Sequence, residues 1–232
     1  MSLGKLSKYN KVTHCIFDLD GTLIDSESIN DEINSEIISK FGKTYSDELK
    51  FKIRGTTERK SISGIINDLE LPISISDYLN EFHELCRQRY PNVALMPGAE
   101  NLLRYLKSIG VPIAVATSSS MDMVRIKTTN YKELFELFNH IVSGSDDPEV
   151  KNGKPAPDVF LVAAKRFPCS PSPCNCLVFE DAPNGVTAGK AAGMQVVMIP
   201  DPRVPEEKTT HATIVLRSLK DFEPKDFIWR AC

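Results

Sequence analysis

The sequence predicts an α/β fold: a buried parallel sheet with helices on both faces and a helical insert. Three observations predict it. Short apolar runs rich in β-branched residues recur along the 232 residues, helix-period segments separate several of them, and the stretch from 26 to 95 shows helical periods with no strand. Runs that are apolar throughout suit strands buried on both faces of a parallel sheet. Alternation of strand and helix builds such a sheet.

The first run, 12–17 (VTHCIF), is the first strand. Ile29, Ile33, Ile37 and Phe41 then recur every four residues, one apolar stripe of a helix that Gly42 terminates. Ile62, Ile65, Ile66 and Leu69 form a second stripe; Tyr78, Phe82, Leu85 and Arg89/Tyr90 form a third. These helices make up the insert. Its hinges are expected near Leu23–Asp25 and at "ALMPGA", where Pro97 and Gly98 interrupt any element. Leu102, Leu103 and Leu106 before Gly110 mark a helix leading into a second strand at 111–116 (VPIAVA), and a third strand falls at 140–142 (HIV). After "KPAPD", Val159, Phe160, Ala163, Ala164 and Phe167 mark another helix; strands at 176–179 (CLVF), 195–199 (QVVMI) and 213–216 (TIVL) complete the sheet. The expected division is 1–24 with 96–232 for the sheet core and 25–95 for the insert.

With 41% hydrophobic and 25% charged residues the composition is that of an ordinary globular protein. The net charge is −3 and Lys and Arg are dispersed, so no basic patch for nucleic acid or an anionic membrane is present. No apolar run approaches the roughly 20 residues that span a bilayer, and the start "MSLGKLSKYNK" lacks the apolar centre of a signal peptide, which makes the cytoplasm the expected compartment. The six cysteines read as reduced thiols; Cys169, Cys174 and Cys176 crowd together without a zinc spacing. The oligomeric state is left open.

Ligands of open α/β sheets bind beyond the carboxyl ends of the strands. There the sequence places Asp18 and Asp20 after the first run, Thr117, Ser118 and Ser119 after the second, and Glu180 and Asp181 after 176–179, with Lys154 preceding a helix in "NGKPAPD". Singly, each piece has an ordinary explanation, Asp-x-Asp-Gly as a turn and Thr-Ser-Ser as a helix cap. Jointly, they put four carboxylates, a hydroxyl and a lysine on one rim. Carboxylates so crowded need a cation, and oxygen ligands beside a substrate phosphate suit Mg²⁺. Such a site suits phosphoryl transfer, with one aspartate attacking to form an aspartyl-phosphate and the other handling protons.

The motifs "DLDGT", "VATSS", Lys154 and "FEDAPNG", in that order, resemble those of the haloacid dehalogenase superfamily of phosphatases. The resemblance implies Asp18 as nucleophile, Asp20 as acid/base, and Thr117, Ser118 and Lys154 as phosphoryl contacts. It also implies Mg²⁺ held by Asp18, the backbone carbonyl of Asp20 and Asp181, with Glu180 a ligand or its neighbour. The fold it implies is a Rossmann-like core with an α-helical cap in place of the insert, closing over a small phosphorylated metabolite. The stretches "ALMPGAENLL", "FNHIVSGSDDPEVKNGKPAPDVFLVAAKRF" and "CLVFEDAPNGVTAGKAAGMQVVMIPDPR" are similar to animal pseudouridine-5'-phosphatases. Pseudouridine 5'-phosphate is therefore the expected substrate, with glycerol-phosphate, sugar-phosphate and flavin mononucleotide phosphatases as alternatives. In the cap stretch "IRGTTERKSI", Arg54 and Gly55 are candidate substrate contacts. Glu58 stands where the similar β-phosphoglucomutases carry an arginine, and a carboxylate there would repel a second phosphate, which ranks a mutase low. A silent binding module would have lost the nucleophile, the acid/base or the lysine; all three are present.

Overall fold

In a computed structural model of the chain, which describes residues 9–53, 58–227 and 229, all six expected runs form strands. They are β1 (His14–Phe17), β2 (Ile113–Thr117), β3 (His140–Ser143), β4 (Cys176–Glu180), β5 (Gln195–Met198) and β6 (Ile214–Val215). All pair in parallel, in the order β3-β2-β1-β4-β5-β6. At the centre Phe17 stands opposite Val115 on one side and Phe179 on the other. The period-2 alternation sends Cys15, Phe17, Val115 and Phe179 into one apolar cluster and Ile16, Ala114, Ala116 and Val178 into another. Both faces are covered, which is why the runs are apolar throughout.

The described helices are α1 (Ser26–Ser39), α2 (Asp47–Ile53), α3 (Glu58–Leu69), α4 (Ile75–Arg89), α5 (Ala99–Ser108), α6 (Met121–Lys127), α7 (Lys132–Phe135), α8 (Asp158–Arg166) and α9 (Pro183–Ala191). Leu102, Leu103 and Leu106 of α5, with Leu134 and Phe135 of α7, cover the first face of the sheet. Phe160 and Ala163 of α8 and Val186 of α9 cover the second. Helices α1 to α4 bury their stripes against one another: Ile33 and Ile37, Ile62 and Ile65, and Tyr78 and Phe82 form a third cluster. Helix α2 was not expected from the sequence. Seven residues are too few for an apolar stripe to repeat.

Sequence-local signals set the ends of these helices. Asp25 accepts from the Ser28 amide at 3.2 Å to cap α1, and Ser74 accepts from the Asp77 amide at 3.1 Å to cap α4. Where the insert leaves and rejoins the sheet scaffold, the two crossings lie side by side. Ile24 and Leu95 form an antiparallel bridge, the Asp25 amide donates to the Ala94 carbonyl (2.9 Å), and the Met96 amide donates to the Leu23 carbonyl (2.9 Å).

Cys15, Cys86, Cys174 and Cys176 are free thiols. Cys169 is disulfide-bonded, which corrects the reading of all six cysteines as thiols; its partner lies outside the described residues. Among the described residues, no helix is long and apolar enough to cross a membrane.

Candidate active site

Strand β1 ends at Phe17 and the chain turns at once, the Gly21 amide donating to the Ile24 carbonyl (2.9 Å) and the Leu23 amide to that of Leu19 (2.9 Å). Asp18 stays on the line of the strand, its amide donating to the Phe179 carbonyl (2.9 Å). Gly21 has φ +81°, and a Cβ there would stand 2.4 Å from Asp181 Oδ2. Only glycine permits this approach of the β1 turn to the end of β4.

Lys154, from the loop before α8, reaches into the gap between those strands. Its Nζ donates to Asp18 Oδ1 (2.5 Å), Glu180 Oε1 (2.7 Å) and the Ala116 carbonyl (3.1 Å). Glu180 Oε2 accepts from the amides of Asp181 (3.0 Å) and Ala182 (3.1 Å). Its carboxylate occupies the space beside Gly185, where a Cβ would fall 1.7 Å from Oε1. One oxygen each from Asp18, Glu180 and Asp181 lies within 4.8 Å of the others.

Burial pushes the Asp18 carboxyl up to about 8; Lys154 opposes the rise while Glu180 and Asp20 add to it. Burial, then Glu180 and Asp18, hold Asp181 well above the usual carboxylate range. Burial works against the charge of Lys154, but Asp18 and Glu180 outweigh it and raise its pKa. Three carboxylates thus share one ammonium. An oxygen-only donor set with that excess of negative charge fits a hard divalent cation.

Asp20 is in the opposite condition. Its Oδ1 accepts from Lys127 Nζ (2.6 Å) and Ser26 Oγ (2.6 Å), and its Oδ2 from Ser119 Oγ (2.7 Å) and Thr117 Oγ1 (3.4 Å). Burial alone would raise its pKa, but the Lys127 charge and these hydrogen bonds outweigh it and lower the value. The two aspartates, one residue apart in sequence, are served by separate donors and pushed in opposite directions.

The structure therefore brings together Asp18, Lys154, Glu180 and Asp181, and joins Asp20 to Thr117. Ser118 is exposed on the wall of the cleft. Arg54 and Gly55 lie outside the described residues. Lys127 and Ser26 were missed by sequence reasoning, and Ser119 had been placed on the rim without a role. A cleft of about 1180 Å³ separates the rim from the helices of the insert. On its wall, Asn30 Oδ1 accepts from the Tyr90 hydroxyl (2.6 Å) and Asn34 Oδ1 from the Tyr78 hydroxyl (2.9 Å), which leaves the amide NH₂ groups as the remaining donors. Glu58, at the start of α3, is engaged by His83 Nε2 at 2.9 Å.

Residues 15–199 match the family model of haloacid dehalogenase-like hydrolases. A Drosophila melanogaster protein named "Probable pseudouridine-5'-phosphatase" is 52% identical over 217 residues, covering 94% of each chain. The (DL)-glycerol-3-phosphatase 1, mitochondrial, of Arabidopsis thaliana is 42% identical over 93% of this chain and 73% of its own length. Among solved structures, a family IA, variant 3 hydrolase of the same superfamily from Entamoeba histolytica superposes with a TM-score of 0.76 at 26% identity, over 94% of this chain and 98% of that one. From the rim at the ends of β1, β2 and β4, the family match across the sheet and the phosphatases aligned along nearly its whole length, the chain belongs to the haloacid dehalogenase-like hydrolases and is a phosphatase.

Proposed function

We propose that this phosphatase hydrolyses pseudouridine 5'-phosphate through an aspartyl-phosphate formed on Asp18. The observation that carries the mechanism is the separation of the two aspartates: Asp18 beside Lys154, and Asp20 held by other donors. A carboxylate oxygen of Asp18 bonds to phosphorus as the ester oxygen–phosphorus bond breaks; Asp20, ionised in the free enzyme, takes up a proton as the negative phosphoryl group enters beside it and gives that proton to the departing oxygen. Water then attacks the aspartyl-phosphate, Asp20 takes the water's proton, and phosphate leaves with Asp18 restored. Lys154 and the Thr117 hydroxyl, with Ser118 beside them, offset the charge of the phosphoryl oxygens. Asp18, Asp181, Glu180 and the Asp20 backbone carbonyl would hold Mg²⁺, which neutralises phosphoryl charge when bound.

Residues 25–95 act as the cap of a core formed by 1–24 and 96–232, and the compartment we infer is the cytoplasm. The cleft of about 1180 Å³ and the amides of Asn30 and Asn34 favour a leaving group of nucleoside size that carries acceptor oxygens. Glycerol 3-phosphate is the second reading, on the strength of the Arabidopsis relative.

The test is phosphate release with Mg²⁺ from pseudouridine 5'-phosphate, uridine 5'-phosphate, glycerol 3-phosphate, a hexose 6-phosphate and flavin mononucleotide, with Asp18→Asn as the blank. Pseudouridine 5'-phosphate is expected to lead the panel, and Asp20→Asn to slow it by about 100-fold or more. A preference for glycerol 3-phosphate would sink the substrate assignment and leave the chemistry; no release from any member would sink both.

A further inference from the structure

No feature of the sequence singles out Lys127, yet its side chain is only 5% exposed. Its Nζ donates to Asp20 Oδ1 (2.6 Å) and Ser119 Oγ (3.0 Å) and lies 4.6 Å from the centre of the Tyr90 ring. A buried ammonium is stable only where partners replace its water, and here Asp20, a hydroxyl and an aromatic face do so. Tyr90, at the end of the insert, donates its hydroxyl to Asn30 of α1 (2.6 Å). Asn30, Tyr90, Lys127 and Asp20 thus form a continuous path from the wall of the cleft to the acid/base.

The chemistry of the four donors on Asp20 is unequal. Ser26, Ser119 and Thr117 carry hydroxyls, which can turn from donor to acceptor, whereas an ammonium can only donate. When Asp20 carries a proton, Lys127 cannot accept it; on Oδ1 that proton could turn only to Ser26, on the oxygen that must still accept from the ammonium. Oδ2, faced by the Ser119 and Thr117 hydroxyls and by no ammonium, is the favoured seat.

We propose that Lys127 is a positioning residue for proton transfer: it fixes Oδ2 of Asp20 as the oxygen that delivers and receives the proton, and the Tyr90 ring ties that orientation to the insert. The inference rests on the reading of Asp20 as acid/base. It makes the charge and donor-only character of residue 127, rather than its bulk, the property that matters.

The experiment measures kcat and KM for Lys127→Met, Lys127→Arg, Asp20→Asn and the double variant Asp20→Asn/Lys127→Met. Two substrates are used: the alkyl phosphate of the panel turned over fastest by the wild type, and p-nitrophenyl phosphate, whose leaving group departs without a proton. Lys127→Met is expected to lower kcat on the alkyl phosphate by about 10-fold or more, with the loss on p-nitrophenyl phosphate several-fold smaller and KM within about 3-fold. Lys127→Arg should recover most of the alkyl rate, and the double variant should be no slower than Asp20→Asn alone. Equal losses on both substrates, an effect confined to KM, or multiplying losses in the double variant would overturn the proposal. Should Lys127→Met fail to fold, Tyr90→Leu keeps the lysine and removes its cover. The same alkyl-selective loss on a smaller scale, about 3-fold, is then expected, and an unselective loss overturns the proposal. If Asp20→Asn itself leaves the alkyl rate intact, the acid/base reading has failed instead.

Discussion

Replacing Lys154 by Met removes the only ammonium in contact with Asp18 and Glu180 among the described residues, while keeping a similar length of chain against Phe160, whose ring centre lies 4.9 Å from Nζ. Breaking a buried ion pair from one side costs about 3–5 kcal/mol. Burial already pushes the Asp18 carboxyl up against the lysine's opposing charge, so removing that charge favours a proton on Asp18, which relieves part of the repulsion. The expected loss is therefore at the low end, about 3 kcal/mol. The assay is urea denaturation near neutral pH, first with chelator and then with Mg²⁺. An ion that binds only the folded chain adds about 2.7 kcal/mol at a hundredfold excess over its dissociation constant. Without the lysine's charge opposing it, the ion should bind more tightly, so Mg²⁺ should stabilise the variant more than the wild type. A loss below about 1 kcal/mol in chelator, or weaker stabilisation by Mg²⁺ than in the wild type, would refute the view that Lys154 balances these carboxylates.

Asp181→Ala removes one of the three clustered carboxylates, so the Mg²⁺ concentration giving half-maximal rate should rise while the rate at saturating Mg²⁺ falls less; an unchanged Mg²⁺ curve would contradict its role. Gly185→Ala sets two effects against each other: helix propensity favours Ala by about 0.5–1 kcal/mol, but a Cβ 1.7 Å from Glu180 Oε1 must displace that carboxylate. The clash should win, lowering both thermal stability and kcat, and a stabilised variant would show that Glu180 is free to move. His14 is buried, and burial followed by the neighbouring His140 pulls its pKa down from 6.5 to about 4. The unfolded chain therefore takes up this proton first, and stability present above pH 6.5 should be lost as pH falls toward 4, by about 3 kcal/mol in all. In His14→Leu, denaturation titrations should lose that part of the slope.

The parts of the site that were legible in the sequence are those adjacent in the chain to a buried strand. Asp18, Thr117 and Glu180 terminate or follow apolar runs, and a parallel sheet must present such positions on one rim, so their convergence could be reasoned without coordinates. Lys127 could not be found that way. It lies ten positions beyond Thr117, at the end of a seven-residue helix whose other charged members, Asp122 and Arg125, pair with each other on the surface. Nothing one-dimensional separates the lysine that turns inward from the arginine that does not. Ser26 reads as an ordinary first residue of α1, and its bond to Asp20 appears only because the turn at Gly21 folds the chain back. The insert's long helices were legible because their stripes repeat several times, whereas α2 and α6 are too short to show a period.

The paired crossing at Leu23–Asp25 and Ala94–Met96 has a consequence for how such a chain can change over time. The scaffold sees the whole insert as a single doorway a few ångströms wide, already closed by backbone hydrogen bonds. Lengthening or exchanging what lies beyond the doorway alters loop-closure entropy only weakly, and it leaves the turn carrying Asp18 and Asp20 where it was. Selection can therefore exchange much of what lies beyond the doorway, provided that Ser26 and Tyr90, the insert residues that reach back to Asp20 and Lys127, are kept.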